Sequence, residues 1–221
     1  MKFFLDTANI NEIKFWKKFN LVDGVTTNPS LLSKESEKPI EQVKKISKIV
    51  KGPISVQVTK SLPEEIIIQA NKFTKIAKNI IVKVPANKAG YLTSLKLKNK
   101  KIKLNVTLGF DPSQFAVFAK LNVDYFSMIL GKTEDWGFKN LESVQKAIQI
   151  KKNYKLKTKI LVASIRSTEH FNQSLHSGAD VLTVPPSTWE KIFKNKYSEL
   201  GLLNFKKDWD NINKKLKKNY E

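Results

Sequence analysis

The sequence predicts a closed (β/α)8 TIM barrel with an additional C-terminal helix, because short β-rich runs alternate with helical patterns along the whole chain. Eight such runs occur in 221 residues, without a linker or a low-complexity break. This alternation indicates parallel strands joined by right-handed crossovers. An open doubly wound sheet is the alternative, but no glycine-rich dinucleotide loop follows the first run.

The eight predicted strands are rich in β-branched, aliphatic and aromatic residues. They comprise residues 3–6, 24–27, 54–59, 80–84, 103–107, 123–129, 160–163 and 181–184. Between them, apolar residues recur at near-helical spacing, as they do in residues 40–49. A capping-box pattern at Ser61 and the pair Asp111-Pro112 predict helix starts, and Gly178 predicts a helix end.

The formal net charge of +20 raises the hypothesis of a nucleic-acid-binding protein. One of the 40 basic residues is an arginine, Arg166, which leaves 39 lysines dispersed along nearly every helical segment. Arginine is the usual residue for reading base edges, so we expect no nucleic-acid partner, and a non-catalytic basic barrel remains a remote alternative. The sole arginine marks a position where a bidentate fork is hard to replace.

The absence of cysteine excludes disulfides, thiol catalysis and cysteine-ligated metals. Carboxylates and histidines do not cluster in the sequence as metal ligands do, so no metal is expected. No apolar run approaches the ~20 residues of a membrane span, and the N-terminus does not resemble an export signal. We therefore expect a cytoplasmic protein without a membrane partner.

Active sites of such barrels lie at the C-terminal ends of the strands, where polar side chains point inward at every second position. Lys83 is unusual among the lysines because it lies in the apolar run of residues 80–85. Burial there would lower its pKa and provide a free amine that can attack a carbonyl. A buried ion pair with Asp6 is the structural alternative, and it is compatible with Asp6 as a general base. The other strand-end candidates are Thr26, Asn28, Gln57, Thr59, Asn105, Thr107, Ser127, Ser164 and Arg166.

Ser164 and Arg166 follow the seventh predicted strand, in a region where such barrels often bind phosphate with the help of a helix N-terminus. A structural salt bridge is the alternative for Arg166. The amides of Asn28 and Asn105 suit sugar hydroxyls, although Asn28 could instead satisfy its own loop. His170 and His176 lie on the following helix, away from the strand ends, so we expect surface residues and not ligands.

Six segments resemble the small-subunit transaldolases, a family that includes fructose-6-phosphate aldolase. They are FLDTA at 4–8, GVTTNPS at 24–30, VKVP at 82–85, NVTL at 105–108, ASIR at 163–166 and FKKDW at 205–209. The resemblance covers essentially the whole chain, in order, and the TTNP and VKVP segments are specific.

The resemblance implies transfer of a dihydroxyacetone unit from fructose 6-phosphate or sedoheptulose 7-phosphate to an aldose phosphate. Lys83 would form a Schiff base with the ketose, and Asp6 would take the hydroxyl proton as the C3–C4 bond breaks. Thr107 would help to position the catalytic water, and Gln57, the fourth catalytic candidate, would hold that water without taking its proton. No cofactor is needed, because the protonated imine accepts the electrons.

The resemblance also assigns substrate contacts. Asn28, Asn105 and Ser127 would hold the dihydroxyacetone fragment, while Ser164 and Arg166 would bind the phosphate. It further implies a homo-oligomer, a decamer or pentamer, in which residues 204–218 of a single domain spanning 1–221 form a helix that reaches a neighbour.

Three positions depart from the family pattern. Transaldolases carry glutamate at the position of Gln57, whereas the aldolase branch carries glutamine. Both branches have an aromatic residue at the position of Ile129, and most members have arginine at the position of Lys132. The lysine substitution leaves Lys132 as a second phosphate-binding candidate. Gln57 and Ile129 keep open the alternative of direct aldol cleavage or synthesis.

Overall fold

Eight parallel strands close into a barrel in the computed structural model, which describes residues 1–216. Neighbouring strands pair in chain order and the last pairs with the first. This confirms the predicted (β/α)8 barrel. The strands are β1 (Lys2–Asp6), β2 (Gly24–Thr26), β3 (Ile54–Gln57), β4 (Ile80–Pro85), β5 (Leu104–Gly109), β6 (Tyr125–Ile129), β7 (Lys159–Ala163) and β8 (Val181–Val184).

Helices surround the barrel and follow the strands in alternation. They are α1 (Ile10–Lys17), α2 (Pro29–Leu32), α3 (Pro39–Ile49), α4 (Pro63–Thr74), α5 (Lys88–Asn99), α6 (Pro112–Ala119), α7 (Leu141–Asn153), α8 (Thr168–Ser177), α9 (Pro186–Phe193) and α10 (Lys196–Leu216). A 3-10 turn, Gly131–Trp136, lies between β6 and α7. Within residues 1–216, no helix combines the length and the apolar character needed to cross a bilayer.

The three predicted helix boundaries are confirmed, since α4 begins at Pro63, α6 begins at Pro112 and α8 ends before Gly178. Asp111 caps α6 in a reciprocal capping box with Gln114, and Gly178 ends α8 with a positive φ of 83°. The capping box at Ser61 is wrong, because Leu62 occupies the N-cap of α4 and makes no side-chain capping bond. Proline at the first position of α4 already presets the backbone and lacks an N–H that needs a cap.

Two layers of apolar side chains divide the core. The larger layer lies between the barrel and its helices and includes Val82 and Val84. The smaller fills the barrel interior, where Phe4, Ile81 and Tyr125 pack together with Leu161 and Val181. Side chains along β4 alternate between the two layers, because successive residues of a strand point to opposite faces. Lys83, between Val82 and Val84, therefore points toward the barrel axis.

Gly24 is required by this interior packing. A Cβ atom at this position would lie 2.8 Å from the ring of Phe4 and 2.6 Å from the carbonyl oxygen of Pro53. Because Gly24 has no side chain, its backbone can pack against the ring of Phe4 and the carbonyl of Pro53.

Three aspartates close the end of the barrel opposite the strand C-termini. Each of Asp23, Asp124 and Asp180 immediately precedes an even-numbered strand and accepts a hydrogen bond from a backbone N–H of the strand before it. The donors are Phe3, Leu104 and Ile160, at 2.9, 3.0 and 2.7 Å. These charge-assisted bonds join adjacent strands at the N-terminal end of the barrel. They stabilise the barrel at the end opposite the strand C-termini, where active sites of such barrels lie.

The C-terminal helix begins earlier than the sequence predicts, at Lys196 instead of residue 204, while predicted residues 217 and 218 lie outside the described part of the chain. Its apolar side chains are exposed, including Leu202 at 69% and Phe205 at 72%. Trp209 and Ile212 are exposed at 50% and 42%. A large apolar surface of this kind is typical of a protein–protein contact, so we propose that α10 contributes to a homo-oligomer.

Replacing Phe205 and Ile212 together by serine is expected to weaken that oligomer, because the double variant removes apolar area that a contact would bury. Light scattering should report a smaller particle, and deletion of residues 204–221 should have the same effect. Lys206→Ser, on the same helix, serves as the control and should leave the particle size unchanged. An unaltered oligomer in the double variant would contradict this role of α10.

Candidate active site

A cavity of about 460 Å³ lies at the C-terminal ends of the strands. The structure brings most of the candidates from the sequence to its wall. The lining includes Asp6, Asn28, Gln57, Lys83, Thr107, Ser127, Lys132 and Ser164. Asn105 and Arg166 are not among the lining residues, and Thr59 is turned away as an exposed residue that bonds to Gln69. Thr59 lies outside the cavity because β3 ends at Gln57.

Lys83 lies in the middle of β4, between Gln57 of β3 and Asn105 of β5 in register. Its side chain is 6% exposed, and Nζ donates a hydrogen bond to the carbonyl oxygen of Thr27 at 3.3 Å. Burial lowers the pKa of the Lys83 amine, and the negative charge of Asp6 opposes this in part. The position therefore favours a neutral amine inside the cavity.

Asp6 ends β1 and faces the same cavity. Burial raises the pKa of the Asp6 carboxyl, against the opposing influence of Lys83 and of a hydrogen bond from Thr26. The Thr26 hydroxyl donates to Asp6 Oδ1 at 2.7 Å and lies 2.5 Å from the hydroxyl of Thr183. If Thr26 donates to Asp6, then Thr183 donates to Thr26, and the relay orients the carboxylate.

Among residues 1–216, the ion pairs within 4.0 Å do not include one between Lys83 and Asp6. Lys83 instead bonds to a backbone carbonyl, and Asp6 to a threonine hydroxyl. The two groups influence each other electrostatically without direct contact. This arrangement differs from the buried ion pair that the sequence left open, and it leaves space in the cavity beside the amine.

Asn105 is fully buried and is not one of the residues that line the cavity. Its Nδ2 donates to Ser55 Oγ at 3.1 Å, and its Oδ1 accepts from Ser127 Oγ at 2.7 Å. Ser127 lines the cavity itself. The bond to Asn105 therefore orients the Ser127 hydroxyl. Of the two residues, only Ser127 lines the cavity.

Asn28 is the N-cap of the short helix α2, and its Oδ1 accepts the N–H of Leu31 at 2.9 Å. The side-chain oxygen of Asn28 thus bonds to the backbone of its own loop, as the alternative from the sequence stated. The side-chain NH2 group of Asn28 takes no part in that bond, and Asn28 lines the cavity together with Gln57 and Thr107. These side chains surround the cavity around Lys83.

The charged rim of the cavity is formed by two loops. Arg166, after β7, donates to both carboxylate oxygens of Asp135, at 2.5 and 3.0 Å. Lys132, in the 3-10 turn after β6, donates to the same carboxylate at 2.8 Å. Arg166, and then Lys132, lower the pKa of the Asp135 carboxyl. Both predicted phosphate-binding cations thus form ion pairs with the carboxylate of Asp135. For Arg166 this is the salt bridge that the sequence offered as the alternative.

Ser164 occupies the left-handed region of the backbone, with a φ of 61°. Its carbonyl accepts the N–H of Gly131 at 3.0 Å, which joins the loop after β7 to the turn after β6. Such a conformation is uncommon for a residue with a side chain and is often found at functional sites. It directs the chain out of β7 at the cavity wall.

The prediction that His170 is a surface residue is wrong. His170 is 8% exposed and bonds both to the backbone of Arg166 and to the side chain of Glu134. It lies in the first turn of α8, which packs directly behind the charged rim. His176, further along α8, is exposed as predicted.

Sequence reasoning did not identify two site residues, Thr183 and Asp135. Thr183 is the one polar residue of β8 and lies two positions after the inward-facing Val181, so the strand period indicates it. Asp135 gives no comparable signal, because a carboxylate in a charged loop is ordinarily a solvated side chain. Across the described residues 1–216, His, Asp and Glu side chains form no group of three suited to a metal ion.

A family model described as transaldolase/fructose-6-phosphate aldolase matches residues 3–220. Curated relatives named "Probable transaldolase" are similar over nearly the whole chain. That from Thermodesulfovibrio yellowstonii is 38% identical and aligns over 97% of this chain and 100% of its own. Those from Methanococcus vannielii and Dictyoglomus turgidum are 40% and 41% identical, over 95% and 97% of this chain and 98% and 100% of their own.

A solved structure of inosine 5′-monophosphate dehydrogenase from Legionella pneumophila is similar in fold, with a TM-score of 0.58. The alignment covers 83% of this chain and 58% of that chain at 15% identity, so the likeness concerns the barrel alone. The family match and the relatives go further. Together they establish that this chain belongs to the transaldolase/fructose-6-phosphate aldolase family.

Proposed function

We propose that this protein is a transaldolase that transfers a dihydroxyacetone unit from a ketose phosphate to an aldose phosphate. The donor would be fructose 6-phosphate or sedoheptulose 7-phosphate, bound covalently through Lys83. Family membership supports the enzyme class, since the curated relatives carry the name "Probable transaldolase". The single observation that carries the covalent mechanism is a buried lysine in the wall of the barrel cavity.

Lys83 is suited to nucleophilic attack on the ketose C2 carbonyl. Desolvation lowers its pKa, so a larger fraction of the amine is neutral at a given pH. Attack forms a carbinolamine, and loss of water then gives the protonated imine. This cation draws the electrons of the C3–C4 bond as that bond breaks, and no other cofactor is required.

Asp6 is the proposed proton acceptor in the cleavage step. As the C3–C4 bond breaks, the C4 hydroxyl loses its proton to the Asp6 carboxylate and the aldose phosphate leaves. A raised pKa makes this carboxylate a stronger base than an exposed aspartate. The acceptor aldehyde then reacts with the enamine carbon, and Asp6 returns the proton to the new hydroxyl.

Polar groups around the amine are proposed to hold the three-carbon fragment and the water. Ser127, oriented by Asn105, and the amide of Asn28 would bind its hydroxyls. Thr107 and Gln57 would hold the water that finally hydrolyses the imine. Neither side chain can remove a proton from water at neutral pH, so we expect modest turnover.

Arg166, Lys132 and Ser164 are proposed to bind the substrate phosphate. Both cations lie at the rim, and Lys132 and Ser164 line the cavity itself. Asp135 accepts hydrogen bonds from both Arg166 and Lys132. A phosphate would therefore share or replace that carboxylate.

Direct aldol cleavage is the second candidate function, because Gln57 is the residue of the aldolase branch. Slow imine hydrolysis would nevertheless leave the intermediate waiting for an aldehyde acceptor. Ile129 at the cavity wall provides no hydroxyl for the water. Transfer is therefore the favoured outcome, in a homo-oligomeric enzyme that we place in the cytoplasm with sugar phosphates as its partners.

Borohydride reduction with fructose 6-phosphate is expected to trap a three-carbon adduct on Lys83. Mass spectrometry of the digested protein would locate it, and Lys83→Met should abolish both adduct and activity. Lys103→Met removes an exposed lysine just before β5 and serves as the matched control. An adduct on another lysine, or full activity in Lys83→Met, would rule out the assignment.

Arg166→Ala is expected to raise KM for fructose 6-phosphate roughly tenfold, the scale of one lost charge-assisted contact. Lys132→Ala should have a smaller effect, because a lysine lacks the bidentate fork. Lys152→Ala, at the exposed C-terminal end of α7, should have none. If an unphosphorylated ketose suffers as much as the phosphorylated one, Arg166 has only a structural role.

Release of glyceraldehyde 3-phosphate from fructose 6-phosphate should be faster with erythrose 4-phosphate than without it. The acceptor consumes the enamine, which would otherwise have to be protonated and hydrolysed to free dihydroxyacetone. Gln57→Glu should accelerate turnover by supplying a base for the water, and Ile129→Tyr should increase release of free dihydroxyacetone. Chromatographic product analysis with and without the acceptor measures both. Equal cleavage rates without the acceptor would favour the aldolase alternative.

A further inference from the structure

We propose that His170 is a positioning residue that clamps the two loops of the phosphate subsite together. The proposal rests on the function proposed above, since it concerns the same charged rim. One loop, after β7, carries Arg166, and the 3-10 turn after β6 carries Lys132. His170 stands between them, in the first turn of α8, where its N–H also contacts the N-cap Ser167.

The hydrogen bonds of His170 define its tautomer. The backbone N–H of Arg166 donates to Nδ1 at 3.3 Å, so this nitrogen is an acceptor. Nε2 lies 2.9 Å from Oε1 of Glu134 and carries the remaining proton, which it donates to that carboxylate. One neutral imidazole thus joins the backbone of one loop to a side chain of the other.

The region has little room for movement. A Cβ atom at Gly131 would lie 2.4 Å from the carbonyl oxygen of Ser164, 3.0 Å from Cε1 of His170 and 3.1 Å from Cδ of Arg166. The two loops therefore meet across an unsubstituted glycine, with the imidazole packed directly against it. Because His170 is almost fully buried, its bonds are shielded from competition by water.

The side-chain ion pairs between the loops differ from the His170 clamp in one respect, while the backbone bond from the Gly131 N–H to the Ser164 carbonyl joins the loops beside both. The Asp135 carboxylate holds the side chains of Arg166 and Lys132, which are the groups that would bind the phosphate. A phosphate that shares or replaces this carboxylate would weaken those ion pairs. The His170 bonds involve the backbone of Arg166 and the side chain of Glu134, so they can persist and hold the spacing of the two cations while Asp135 gives way.

The charged groups around the clamp are Glu134, Asp135, Lys132 and Arg166, together with Lys191 of α9. Lys191 Nζ lies 3.4 Å from the carbonyl oxygen of Arg166. None of these contacts reaches Lys83 or Asp6, which belong to the deeper part of the cavity. The clamp should therefore affect phosphate recognition and leave Schiff-base formation intact.

The test compares phosphate affinity with trapping of unphosphorylated dihydroxyacetone. His170→Phe keeps a ring but removes both hydrogen bonds, and it should weaken binding of inorganic phosphate about tenfold in calorimetry. KM for fructose 6-phosphate should rise by a similar factor. The yield of dihydroxyacetone trapped by borohydride should remain at the wild-type level. His176→Phe, on the exposed side of the same helix, is the control.

Two further variants separate the bonds. His170→Asn retains an acceptor near the position of Nδ1 and should recover part of the phosphate affinity. His170→Gln places its amide near the position of Nε2 and should recover less, because it does not reach the Arg166 N–H. These two variants also provide the test if His170→Phe does not fold, and equal affinities for both would overturn the proposal.

The remaining outcomes distinguish the clamp from the function on which it rests. If Arg166→Ala weakens phosphate binding and His170→Phe does not, the clamp is wrong and the phosphate subsite stands. If His170→Phe loses dihydroxyacetone trapping as well as phosphate binding, His170 merely supports the fold. If Arg166→Ala leaves phosphate binding unchanged, the proposed subsite is wrong and the clamp falls with it.

Discussion

Lys83 lies among apolar side chains of β4, where an ammonium loses most of its hydration. The resulting destabilisation of the charged form is the constraint on which the candidate site depends. Asp6 faces the same cavity but does not pair directly with the amine, so it offsets only part of that destabilisation. A tight ion pair would instead have kept both groups charged and the amine protonated.

The barrel separates two electrostatic environments within one cavity. Deep in the interior, hydroxyl and amide groups held by one another surround Lys83 above the apolar plug of Phe4, Ile81 and Tyr125. At the rim, cations from two loops meet the carboxylate of Asp135 in contact with water. Burial tunes pKa values in the first region, whereas charge pairing dominates the second. Covalent chemistry and anion recognition can therefore be altered independently.

The strand pattern predicted the deep part of the site better than the rim. A period of two along β1 and β4 places Asp6 and Lys83 inward, because the parallel barrel fixes the direction of alternate residues. The same rule indicates Thr183. It failed for Thr59, because β3 ends two residues earlier. Asp135 could not be predicted, since a loop distant in sequence brings it to Arg166. His170 is only four residues from Arg166, but its burial depends on contact with Glu134 of the turn after β6, which the sequence does not reveal.

Competitive labelling of the lysines with a trace of acetic anhydride, read by peptide mass spectrometry over a range of pH, tests the central claim most directly. The exposed lysines of the chain provide internal references for ordinary amines. The pKa of Lys83 is expected to lie below that of the exposed lysines, because burial destabilises its charged form. In Asp6→Asn the pKa of Lys83 should fall further, because the carboxylate that raises it is gone. A Lys83 pKa equal to that of the exposed lysines, or a rise in Asp6→Asn, would contradict the account.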